Sequence, residues 1–209
     1  MERFVKKGSS ILAPDMIGSG EMGPGDFKGD SYIDNYSHNI WYASMLIGRS
    51  IVGIRAGDVV RLTRLLEKVS GIGEVYGFAR KEMAPVLLHA AAFDPSITHV
   101  AIIESFSSYQ SIVMNHYYNS AFIHSTVPGA LEAYDLPDLA ASLARRKLMM
   151  VGTTDGYGTK TNQESIDNEL AVRKTAYQSK NDSGQLRLVS LDSQRHPNDL
   201  FLEWIQEVN

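Results

Sequence analysis

The chain has 209 residues, a formal net charge of −4 and no cysteine. This mild acidic balance, with no Lys/Arg stripe, gives no electrostatic footprint for nucleic acid. The lack of thiols excludes disulfides, thiolate metal sites and cysteine nucleophiles. At 44% hydrophobic and 21% charged, the composition is that of an ordinary globular protein, long enough for a single domain over 1–209 with a sizeable core.

No stretch is apolar over the length that a bilayer crossing requires. Met1 to Lys7 is charged with no apolar run behind it, so neither a signal peptide nor a membrane partner is expected. A soluble protein is the expectation, and the absence of cysteine is compatible with either a reducing or an oxidising compartment.

In chain order, Ser10-Ile-Leu-Ala-Pro-Asp15 reads as a short buried strand, followed by a Gly-rich turn from Gly18 to Gly25. Asp26 to Ser37 is polar and reads as a loop. From Asn39 to Val69 apolar residues recur at helical spacing, and Gly53 and Gly57 interrupt the run, which suggests two helices. Glu74-Val-Tyr-Gly-Phe-Ala79 is a second strand. Met83 to Phe93 is an apolar helix stopped by Asp94-Pro95.

His99-Val-Ala-Ile-Ile103 is a third strand, Ser105 to Tyr134 an irregular aromatic stretch, and Leu136 to Leu143 a short helix. Lys147-Leu-Met-Met-Val151 is a fourth strand. Gln163 to Gln178 reads as a polar helix, Leu186 to Leu191 as the last strand, and Asn198 to Val208 as a terminal helix with Phe201, Trp204 and Ile205 on one face. Strands alternating with helices imply an α/β fold with a mostly parallel sheet of about five strands.

In such a sheet, reactive groups gather where strands end. Three ends carry polar side chains: Ala79-Arg-Lys-Glu-Met83, Asp155 and His196. Their order is nucleophile position, acid, base, the chain order of a hydrolase triad on a parallel sheet. The plainer readings stand beside it. Asp155 lies in a Gly-flanked turn, where aspartate bonds its own backbone. His196 precedes Pro197 at a helix start, and Lys81 fits a solvated helix entry.

Val75-Tyr-Gly-Phe-Ala79 and Leu87-Leu-His-Ala-Ala-Ala-Phe-Asp-Pro-Ser-Ile97 resemble the nucleophile-elbow strand and following helix of acetyl-xylan-esterase-like α/β-hydrolases. Asp135-Leu-Pro-Asp-Leu-Ala-Ala-Ser-Leu-Ala-Arg-Arg-Lys-Leu-Met-Met-Val151 resembles their leader into the acid-bearing strand, and Ile11 to Glu21 their fourth strand with its Gly-rich turn. The resemblance implies a carboxylic-ester hydrolase with Asp155 as acid and His196 as base. It places the elbow's Gly, Ser and Gly on Ala79, Lys81 and Met83.

Lys81 therefore stands where a serine nucleophile is expected, and a protonated amine is no nucleophile unless its pKa is strongly lowered. Ala79 and Met83 in place of glycines suggest a relaxed turn. The resemblance further implies that the first three strands and the oxyanion-hole loop lie outside this chain. A homo-oligomer or a further N-terminal segment would then complete the sheet. The expected ligand is a small ester or an acetylated carbohydrate, with no cofactor and no metal.

Four other readings stand beside this one. A non-catalytic scaffold or carbohydrate-binding module is the first, with Tyr109, Tyr117, Tyr118 and Phe122 as cleft walls. Nucleotide binding through Gly18, Gly20 and Gly23 matches the dinucleotide spacing, but Pro24-Gly25-Asp26 follows where a helix should start. His116 and His124, eight apart, lack an acidic partner at metal spacing. Ser50 and Ser105 lack the glycine pattern of an elbow.

Overall fold

A computed structural model describes residues 2–23, 32–33, 36–69, 73–159, 171, 174–178, 185–191 and 196–208. Its main sheet holds β3 (Val75–Arg80), β4 (Ile97–Ile103), β5 (Lys147–Val151) and β6 (Leu186–Val189), side by side in that order and all parallel. Two short strands, β1 (Tyr32–Ile33) and β2 (Tyr36–Ser37), form a separate antiparallel pair. The helices are α1 (Glu2–Val5), α2 (His38–Leu46), α3 (Ile51–Leu66), α4 (Ala84–Phe93), α5 (Tyr109–Val113), α6 (Leu136–Ser142), α7 (174–178) and α8 (Pro197–Val208). The loop expected over Asp26 to Ser37 and the polar helix over Gln163 to Gln178 fall largely outside the described residues.

The sheet has two apolar faces because its central strands carry apolar residues at consecutive positions. On one face, Val100, Ile102, Leu148 and Met150 pack with α3, α4 and α6; on the other, Ala101, Ile103, Met149 and Val151 pack with Leu200, Phe201 and Trp204 of α8. Helix α4 is buried from Ala84 to Ala91, with its first turn started by Pro85. It seats tightly on β3: a Cβ on Gly77 would lie 2.6 Å from Leu87 Cδ1. Any larger residue there must displace the Leu87 and Ile97 side chains.

Two sequence expectations are corrected. Ser10 to Asp15 is not a strand; it runs without regular structure, with Ile11 40% and Leu12 49% exposed. An extended segment becomes a strand only with a ladder partner, and among the described residues none lies along it. Among the described residues the sheet therefore has four strands, with β3 at an edge. The break in the 39–69 run falls at Gly48, which has a φ of 70°, not at Gly53 or Gly57. Ser50 caps α3 there by accepting the Gly53 N–H at 2.9 Å, and Gly53 and Gly57 both lie inside the helix.

Candidate functional site

Three neighbouring strands leave the sheet through left-handed residues: β3 through Lys81 (φ 51°), β4 through Glu104 (φ 53°) and β5 through Gly152 (φ 61°). Glycine adopts this conformation freely, whereas a lysine or glutamate is strained by about 1 kcal/mol or more. Arg80 ties the first two exits together, its Nε donating to Glu104 Oε2 at 2.6 Å.

Lys81 thus sits on the tip of a sharp strand–turn–helix, with α4 starting three residues on at Ala84. The relaxed turn expected from Ala79 and Met83 is corrected: the left-handed tip is kept without the flanking glycines. Ala79 is itself buried, and α4 must reverse at once to cover β3 and β4. The Lys81 side chain is exposed.

Asp155 follows β5 and spends its carboxylate on its own turn. Oδ1 accepts the N–H groups of Tyr157 (3.0 Å) and Thr159 (2.9 Å), and Oδ2 accepts the Thr159 hydroxyl at 3.1 Å. His196 is exposed at the entry to α8, and its Nδ1 accepts the Asn198 N–H at 3.2 Å. A triad histidine instead donates Nδ1–H to its carboxylate, so this ring is in the opposite hydrogen-bonding state. Among the described residues no hydrogen bond or ion pair joins Lys81, Asp155 and His196.

The aromatic stretch divides in two. Tyr109 and Phe122 are buried against Phe106 and belong to the core, so they wall no cleft. Tyr117 (73% exposed), Tyr118 (42%) and Met114 (76%) face outward, beside Tyr157 (53%) of the Asp155 turn. Asn119 N–H donates to Gly156 O at 2.9 Å and holds the two segments together. From Ser105 to Leu131 the sequence carries no Asp, Glu, Lys or Arg. This was the legible signal for an uncharged surface, and sequence reasoning passed over it.

Behind the elbow lies a buried polar corner. The His38 and His124 rings lie 5.4 Å apart between centres, tilted by 35°. Burial, the Arg55 guanidinium and His38, in that order, push the His124 imidazole down to about 4. His89 is also buried. Its Nδ1 donates to Pro85 O at 2.7 Å, so Nε2 accepts from the Tyr134 hydroxyl at 2.9 Å and the ring is neutral; burial holds its pKa down.

Around Gly18, Gly20 and Gly23 the chain makes a three-residue 3-10 turn, Gly20–Met22, and Asp15 Oδ2 accepts the Glu21 N–H at 3.0 Å. Among the described residues no group of three or more His, Asp or Glu is placed to hold a metal ion, and no helix is long and apolar enough to cross a membrane. A hollow of about 460 Å³ between α1 and α8 is lined by Lys6, Lys7, Asp199, Leu202 and Glu203. None of the sequence-predicted site residues lines it.

Four parallel strands with helices on both faces make this an α/β fold. It is similar to the solved structure of a Bacteroides fragilis protein whose assignment as an acetyl xylan esterase is provisional. The TM-score is 0.73 at 15% identity, over 100% of this chain and 62% of that one. The chain thus spans less than two thirds of its structural neighbour, and at that identity the likeness is one of fold. No family of known proteins matches the sequence, and neither does any curated protein.

Proposed function

We propose that this chain is an esterase-like α/β-hydrolase domain that has lost serine-based ester cleavage. The observation that carries the reading is Lys81 at φ 51° on the strand–turn–helix tip, where the resemblance expects a serine. Asp155 and His196 hold the acid and base positions as relics. The carboxylate now shapes its own turn and the imidazole caps α8. A serine needs a neighbouring base to become a nucleophile, and an ammonium group with no base is inert as an acyl acceptor at neutral pH.

The structural neighbour's provisional assignment supports an esterase-like origin, with a small ester or acetylated carbohydrate as the ancestral ligand. Turnover of an activated acetyl ester tests the reading. The chain is expected to match the rate of its Lys81→Ala variant, both at the level of buffer with an unrelated protein. A rate in the parent well above Lys81→Ala would overturn it.

A second reading, a carbohydrate-binding module, is favoured by the exposed Tyr117 and Tyr118, which lie in a stretch without formal charge from Ser105 to Leu131, and by the exposed Tyr157 of the neighbouring Asp155 turn. Aromatic faces with neutral amide and hydroxyl neighbours suit a neutral polyol better than a charged partner. Retardation in gels containing soluble xylan, reduced in Tyr117→Ala, supports it; unretarded migration counts against it.

A further inference from the structure

Helix α2, helix α3, the elbow and the 3-10 turn Ser120–Ser125 meet in the buried corner behind Lys81. Its side chains supply donors in excess of acceptors. Arg55 is 7% exposed, and its Nε and Nη2 both donate to one carbonyl, Ile17 O, at 3.0 and 2.8 Å. Among the described residues no carboxylate lies within ion-pair distance of it. Glu82, half-buried in the elbow, acts on Arg55 only through the longer-range field.

His38 is 9% exposed, and its Nε2 is buried without a hydrogen-bond partner, as is Nε1 of Trp41. The two residues are three apart on α2 and so share one helix face. The His124 ring lies against His38 in a tilted arrangement and within the electrostatic reach of Arg55. A buried cation with no carboxylate in contact, in a corner that also holds two unused ring nitrogens, is costly unless a partner completes it.

We infer that His38, Trp41 and Arg55 form a binding site for a small monoanionic carboxylate, seated between α2 and α3 behind the elbow. The indole N–H and the Nε2–H of His38 donate to one carboxylate, and Arg55 supplies the charge. Glu82 sets the limit on ligand charge, since its own carboxylate repels a dianion more than a monoanion. Entry requires α2 to move outward. That helix is held by His38 and Ser44, which are buried, and by Ile40 and Trp41, which pack half-buried against the core, while Tyr42 and Leu46 are exposed. The site does not depend on ester turnover, so it stands or falls separately from the reading of Lys81.

The chain contains two tryptophans, which makes indole N–H resonances a direct probe. Acetate is titrated against chloride at matched ionic strength and neutral pH, and the Trp41 signal is assigned by its loss in Trp41→Phe. The expected result is a saturable shift of the Trp41 indole with Trp204 unmoved. His38→Leu should weaken acetate about tenfold, the effect of losing one hydrogen bond to a charged group, and sulfate should bind more weakly than acetate. No shift beyond the chloride control would overturn the site. So would equal, non-saturating shifts of both indoles, or a His38→Leu variant that binds acetate as the parent does.

Discussion

Lowering the pH from 7 to 5 should destabilise this fold, with His124 as the largest identifiable contributor. In the folded protein its imidazole is pushed down to about 4 by burial, by Arg55 and by His38, against an ordinary value of 6.5. The folded state therefore resists a proton that the unfolded chain accepts. Stability is complete above the unfolded pKa and is lost as pH falls from 6.5 towards 4. Linkage between those two values gives a loss of about 2 kcal/mol between pH 7 and pH 5 from this residue. His89 and His99, both held below their ordinary values by burial, act in the same direction. Urea unfolding at the two pH values, in the parent and in His124→Gln, isolates the term. The variant should lose about 2 kcal/mol less than the parent over the same interval. Equal losses in the two proteins would refute the placement of His124 beside Arg55.

Three substitutions test the packing that positions the strand ends. Gly77→Ala should cost about 1–3 kcal/mol by driving a methyl group into Leu87; an unchanged urea midpoint would mean that α4 does not seat on β3 as described. Asp135→Ala removes an acceptor for the N–H groups of Tyr109 (2.6 Å) and Gln110 (3.0 Å) and breaks the capping box of α6. It should cost about 1–2 kcal/mol, read by the same method. Asp155→Ala should lower stability by about 1 kcal/mol through loss of its turn bonds. It should also leave any residual ester cleavage unchanged, whereas a selective loss of cleavage would restore Asp155 to a catalytic role.

The alternation of strand and helix was legible because β4 and β5 are short apolar runs, buried on both faces between turn signals. The first strand was misread for a physical reason. Ile11-Leu-Ala has the right composition, but a ladder partner, not local preference, decides whether it pairs. The strand–turn–helix at Lys81 was legible from Val75 to Ala79 followed by the apolar helix, yet its shape was misjudged from Ala79 and Met83. The left-handed tip is imposed by the packing of α4, which no local composition records. The tyrosines looked alike in sequence, and burial alone separates Tyr109 from Tyr117. The Arg55 corner was invisible because its parts come from four separate segments, and nothing in their spacing links His38 to His124.

On the proposed function, the strand–turn–helix at Lys81 is kept while Asp155 and His196 do structural work. Ester turnover by Lys81→Ser beside the parent tests this most directly. Both proteins are expected to be silent, because His196 points its Nδ1 at the Asn198 N–H and Asp155 is closed within its turn. A gain of about a hundredfold or more in Lys81→Ser would contradict it, by showing that acid and base still reach the elbow.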